Sequence, residues 1–148
     1  MLFKRVSRNQ PETMFAVVKN VSGSTMTAGY WVAWDTSGDA DGVRVSQQAA
    51  AALGAVAGVS DADLADSAYG LIQVYGYRAS GYVYSSTGSS AVGDILFPKA
   101  SSWAMVPYVY AAAAAGSKGF GFLCTAVTTS ASSSLYHTSA EVFIRCLG

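Results

Sequence analysis

The chain has 148 residues, a formal net charge of +0, 12% charged residues and 51% hydrophobic ones. That length suits one domain with a core of its own, and balanced, scattered charge excludes a broad basic face for nucleic acid. The charged share is roughly half the usual 25% or so, which leaves Ser, Thr, Gly, Ala and Tyr to cover the surface, as a subunit held against other subunits tolerates.

The chain opens with Lys4, Arg5 and Arg8 close together, and Asn9-Gln10-Pro11 then breaks any helix. Residues 1–12 read as an extended N-terminal arm, and 13–148 as a single β-rich domain. Leu2-Phe3 meets charge at once, so no secretory leader is expected here. No run of about 18 apolar residues exists either, and membrane-spanning helices are not expected. The chain reads as made in a cytoplasm.

Met14 to Asn20 alternates as a strand and Val21-Ser22-Gly23-Ser24 turns it. Tyr30 to Trp34 follows, with Tyr30, Val32 and Trp34 on one face and Trp31 on the other. Asp35 to Gly42 reads as a loop and Val43-Arg44-Val45 as a short strand. Ser46 to Leu53 is ambiguous, because Ser46 suits the cap of a short helix. Gly54 to Val59 reads as a strand, and Ser60 to Ser67 as an acidic turn.

Tyr69 to Tyr77 is the most patterned stretch. Tyr69, Leu71, Gln73, Tyr75 and Tyr77 share one face, while Gly70, Ile72, Val74 and Gly76 share the other. A strand with partners on both sides is expected, with Gln73 needing hydrogen bonds inside the aromatic row. Ser80-Gly81 is expected to break the run before Tyr82-Val83-Tyr84, and Ser85 to Ser90 to form a loop.

Ile95 to Phe97 and Trp103 to Tyr110 read as strands, with Pro98 and Pro107 restricting their pairing. Ala111 to Ala115 is too short to hold a helix alone. Gly121 to Thr129 and Ala140 to Leu147 form a final hairpin around Ser130 to Ser134. Its arms carry Cys124 and Cys146, which could face each other; a disulfide fits an antiparallel pair, but in a reducing compartment two buried thiols are expected. The expected fold is all-β: a compact antiparallel sandwich or barrel with short helical turns.

Catalytic motifs are weak. Lys118 to Thr125 follows the RNA-binding aromatic strand pattern, with Phe120 and Phe122 as base stackers, but Thr125 replaces the last aromatic and the flanking helices are missing. Asp35, Asp39 and Asp41 lack calcium-loop spacing, and Asp61, Asp63 and Asp66 have the same status. His137 is the lone histidine and has no nucleophile elbow beside it. Two cysteines and one histidine fall short of a zinc site. No catalytic residue, cofactor or metal is assigned, and an enzyme is not expected.

Gly54 to Val59, the acidic turn and Tyr69 to Tyr77 together resemble the central segment of capsid decoration proteins of tailed bacteriophages, the cement or head-stabilising proteins. Val18-Lys19-Asn20 and Thr25 to Gly29, leading into an aromatic strand, are similar to their opening hairpin. The resemblance runs from about Met14 to Gly93. It implies a virion protein on the outer surface of an expanded icosahedral head, often trimeric, that clamps neighbouring major capsid subunits. The alanine run and low charge depart from it. The expected partners are the major capsid protein and copies of the same chain, with no membrane and no direct nucleic acid. Leu2, Phe3, Lys4, Arg5, Val6, Arg8 and Gln10 are the candidate capsid or subunit contacts. The alternative is a surface or fibre module that recognises carbohydrate through Tyr and Trp.

Overall fold

A computed structural model describes residues 2–7, 10–37, 41–50, 53–85, 88–107, 118–129 and 136–147. For residues 2–7, 10–11, 85, 88–89, 128–129 and 136–137 only the backbone is described. The strands are β1 (Leu2–Ser7), β2 (Gln10–Asn20), β3 (Trp31–Trp34), β4 (Arg44–Ser46), β5 (Val56–Ser60) and β6 (Tyr69–Ser85). They continue with β7 (Gly88–Ser90), β8 (Ile95–Pro98), β9 (Met105–Pro107), β10 (Gly121–Leu123), β11 (Val127–Thr129) and β12 (Tyr136–Arg145). No α-helix occurs among the described residues, and the fold is all-β.

One 10-stranded sheet runs β1-β2-β4-β3-β5-β6-β12-β10-β8-β9, with β7 and β11 paired separately. Two further ladders, β2 with β6 and β6 with β9, close this sheet on itself twice. One circuit is β2-β4-β3-β5-β6, and the other is β6-β12-β10-β8-β9. The molecule is therefore a pair of small barrels that share one long strand. Closure removes most free strand edges.

Each circuit encloses its own core. Val18, Val32, Val45, Ala57, Ile72 and Val74 fill the first, together with Met26 and Leu64 from its loops. Val83, Leu96, Met105, Leu123, Val142 and Ile144 fill the second, joined by Trp31, Val56 and Val59 from the first barrel's wall. The alternation along β3 accounts for this division. Val32 points into the first core and Trp31 into the second, so one strand of four residues serves both.

Strand β6 runs 17 residues without a break, and the interruption expected at Ser80-Gly81 is absent. Gly81 stands there because the barrel interior is crowded. A Cβ on it would lie 2.7 Å from Val142 Cγ2 and 3.4 Å from the Trp31 indole nitrogen. Its role is close packing rather than turning. A register shift between Ala140 and Val142 on β12 compensates opposite it.

Other elements differ from their sequence reading in ways that pairing explains. Ser85 to Ser90 is not all loop, because Gly88–Ser90 pairs with Val127–Thr129. The final hairpin is real only between β10 and β12. In the ambiguous stretch Ser46 to Leu53, Ser46 ends β4, Gln48 bridges to Ser102 and Ala50 has 3-10 geometry, while residues 51 and 52 lie outside the described residues. The Gln48 side-chain amide donates to the Trp31 carbonyl and accepts from the Lys99 amide, which ties the two barrels together. Ala111 to Ala115 and Ser130 to Ser134 lie outside the described residues.

Candidate binding surface

The basic N-terminal segment is the first candidate. Leu2–Ser7 runs antiparallel to β2, with Leu2 opposite Ala16, Phe3 opposite Phe15, Lys4 opposite Met14 and Arg5 opposite Thr13. A shift then skips Val6, and Ser7 pairs with Gln10, the first residue of β2. Arg8 lies outside the described residues. Ala16 also pairs with Ile72, and Lys19 with both Tyr69 and Arg44, so β1 and β4 occupy the same edge of β2. The segment expected to be an arm is thus laddered to the domain. Among the described residues the outer edge of β1 pairs with no strand.

The second candidate is the outer face of β6, which the alternation of Tyr69 to Tyr77 already marked. Tyr69 is 66% exposed and Leu71 40%, while Ile72 and Val74 on the opposite face are sealed in the first core. Partners on both sides were expected for this strand, and at its start only one face is covered. Across the ladder, Val17 lies opposite Leu71 and Lys19 opposite Tyr69. Phe15, Val17 and Lys19 are all half-buried on that outer side, whereas Val18 is in the core. The Lys19 ammonium stands 5.8 Å from the Tyr69 ring centre, a contact that leaves the ring available. A groove lined by Leu64, Tyr69, Gly70 and Leu71 opens beside it, with Asp61 and Asp63 on its rim.

Further along β6 the same face carries Tyr75 and Tyr77. Tyr75 meets Phe143 edge to face with centroids 5.3 Å apart, and Phe143 stacks on Phe122 at 5.0 Å. Phe122 is paired with Ile95, which is 48% exposed. Burial pushes the Tyr77 phenol above its ordinary range, and the Glu141 carboxylate beside it pushes the same way. Gln73 stands within this row yet is buried. Its amide donates to the carbonyls of Tyr75 and Tyr77 at 3.2 and 2.9 Å. The partners it needed are backbone groups of its own strand.

The carboxylates singled out as cation candidates are occupied by the fold. Asp35 accepts from the Ser37 amide and hydroxyl, and those bonds hold its carboxyl below the ordinary range. Asp41 accepts from the amides of Val43 and Arg44 and from the Arg44 guanidinium at 2.9 Å. Asp39 lies outside the described residues. In the second cluster, Asp61 pairs with Arg78 at 3.1 Å, Asp63 accepts from the Ala28 amide and Asp66 from the Gly23 amide. Among the described residues no group of three or more His, Cys, Asp or Glu is placed to hold a metal.

Asp41 carries a testable pH dependence. The Arg44 guanidinium and two backbone amides hold its pKa at about 2, down from 3.8. A lowered folded-state value means that ionised Asp41 supports the turn above about pH 4, and that this support fades as pH falls towards about 2. Following Val43 and Arg44 amide shifts by NMR from pH 5 to pH 2 should show a coupled transition near the lower end. Asp41→Asn should abolish it, and a midpoint near 3.8 in the parent would contradict this account.

The remaining candidates belong to the scaffold. Phe120 is buried in the second core and Phe122 is covered by Phe143, so the RNA-binding strand pattern offers no open stacking pair. Cys124 and Cys146 are both free. They do not face each other: Leu123 pairs with Val142, and the Cys124 amide bonds to Glu141, whereas Cys146 bonds to Val74. Burial raises both thiols, Cys146 to about 12. His137 is the second residue of β12, opposite Tyr84, and only its backbone is described.

The sequence reading missed Phe15 and Val17. Their signal was present, since Thr13, Phe15, Val17 and Lys19 alternate with Met14, Ala16 and Val18. Alternation alone does not say which set faces out when both are apolar. No protein-family model matches the chain, and no curated protein is similar to it.

Proposed function

We propose that the protein is a structural virion subunit that binds the outside of an expanded icosahedral phage capsid and clamps neighbouring major capsid subunits, as a trimer. The observation that carries this reading is the apolar outer face of β6 and β2, where Tyr69 and Leu71 stand exposed beside Phe15 and Val17. Apolar side chains gathered on one face mark a contact surface more often than isolated ones do. The carboxylates around it are engaged in turns and ion pairs, which supports a binding role over a chemical one. The resemblance of Gly54 to Tyr77 to decoration proteins supplies the kind of partner. A ligand that recognises only the expanded shell stabilises it by mass action, and three linked footprints multiply weak contacts.

Cosedimentation with expanded and immature capsids tests the proposal. The protein should pellet with expanded shells and stay in solution with immature ones. Tyr69→Ser combined with Leu71→Ser should weaken binding at least about tenfold with little change in melting temperature, because truncating central aromatic contacts typically costs more than 1 kcal/mol. Equal binding to both shells, or to neither, would sink the reading.

A further inference from the structure

A second surface feature lies apart from the Tyr69 and Leu71 face. Tyr30, Tyr82 and Trp103 line a cleft of about 150 Å³ together with Gln47, Ser101 and Ser102. Tyr30 stacks on Trp103 with centroids 5.2 Å apart and planes 19° from parallel, and Tyr82 meets Tyr30 edge-on at 5.0 Å. All three rings are half-buried, so each still reaches solvent.

The cleft is built rather than incidental. Its floor is the turn from Lys99 to Ala104, which Gln48 clamps: the Gln48 side chain accepts from the Lys99 amide, and its backbone carbonyl from the Ser101 amide. The Ser102 hydroxyl accepts from the Ala104 amide, and the Trp103 carbonyl accepts from the Trp31 amide. Ser101 is held at φ 53°, a left-handed conformation that side chains other than Gly adopt at a cost. On the other wall Gly29 has φ +90°, and its carbonyl accepts from the Tyr82 amide. A Cβ there would sit 3.5 Å from the Tyr82 ring and 3.3 Å from the Ser80 carbonyl oxygen. Both walls are thus fixed by backbone hydrogen bonds before any ligand arrives, which lowers the ordering cost of binding.

The lining decides the ligand class. It contains three aromatic rings, two of them phenols, one side-chain amide and two serine hydroxyls, with no charged side chain. Anions and cations therefore find no counter-ion in it. A ligand that matches must be neutral, offer C–H groups to the electron-rich ring surfaces, and offer hydroxyls to the amide and serine groups. A hexopyranose has both, on opposite aspects of one ring. A proline ring satisfies the aromatics but leaves Gln47 and Ser101 unanswered.

We infer that this cleft is a binding site for a single neutral hexopyranose unit of a glycan. The site is independent of the capsid reading, because it uses none of Phe15, Val17, Tyr69 and Leu71, and either conclusion can fail alone.

The test uses the full chain and four probes: the methyl glycosides of β-glucose, β-galactose, α-mannose and N-acetyl-β-glucosamine. Saturation-transfer NMR should show the ring C–H protons of at least one probe in contact with the protein. Amide and side-chain shifts should move at Tyr30, Gln47, Tyr82, Ser101 and Trp103. Trp103→Ala should weaken that binding at least about tenfold, the equivalent of about 1.4 kcal/mol. Because Trp103 also packs against the first core, Gln47→Ala provides a milder check, and it should lower affinity several-fold with the melting temperature unchanged. The inference fails if none of the four probes binds at tens of millimolar, if the shifts fall elsewhere, or if both variants bind as the parent does. It also fails if a polyproline peptide alone occupies the cleft.

Discussion

Gly76→Ala is expected to destabilise the protein by about 3 kcal/mol or more, one of the largest effects that any single methyl group can have on this fold. Gly76 has φ +103°, a conformation that strains any side chain. A Cβ there would also run into the Glu12 carbonyl oxygen, and the Thr13 Cα would lie 3.2 Å away. Neither neighbour is a flexible side chain, so relief requires β2 to shift as a body. That shift is expensive because of where Gly76 sits. It pairs with Ile144 on β12, and Tyr75 beside it pairs with both Met14 and Arg145. This is the point at which β6 leaves one barrel and enters the other.

Gly23→Ala isolates the two contributions. Gly23 also has a positive φ, +77°, but nothing lies within 4 Å of the added carbon. It should cost only the conformational penalty, about 1–2 kcal/mol. In urea unfolding, the gap between the two variants measures the price of the close approach between β2 and β6. In thermal melts a 3 kcal/mol loss corresponds to roughly 10 °C for a chain of this size. If Gly76→Ala costs no more than Gly23→Ala, the strands are not pressed together as described.

Strand identity was legible in the sequence wherever alternation was paired with turn residues. Tyr30 to Trp34 is the clearest case, because the face assignment of Trp31 against Val32 and Trp34 matches the division between two cores. Tyr69 to Tyr77 was equally clear as a strand, but not where it ended. Ser80-Gly81 has the composition of a turn, and only the crowding of Trp31 and Val142 explains a glycine in mid-strand. The double closure was illegible for a similar reason. It depends on β6 pairing with β2 at one end and with β9 at the other, which are long-range partners that local pattern does not encode. The same holds for the aromatic cleft. Tyr30, Tyr82 and Trp103 are far apart in sequence, and each alone reads as a core residue.

The second large effect concerns Trp31, which is fully buried and projects from β3 into the core of the other barrel. Trp31→Ala should cost about 3–5 kcal/mol, through lost burial and the cavity left behind. The damage should be uneven. Val32, its neighbour in sequence, packs in the first core and stays there, so hydrogen exchange should accelerate first in β10 and β12 while β2 and β4 keep their protection. Trp31→Phe separates size from polarity. Among the described residues the Trp31 indole N–H is buried without a hydrogen-bond partner, and such a group costs about 1–3 kcal/mol to keep. Phenylalanine removes that group along with part of the ring, so the gain offsets much of the lost packing. The expected net loss is below about 1.5 kcal/mol, against the several that a full truncation costs. Uniform loss of protection in both barrels on Trp31→Ala would show that the shared strand couples them into one cooperative unit, and that the two cores do not open separately.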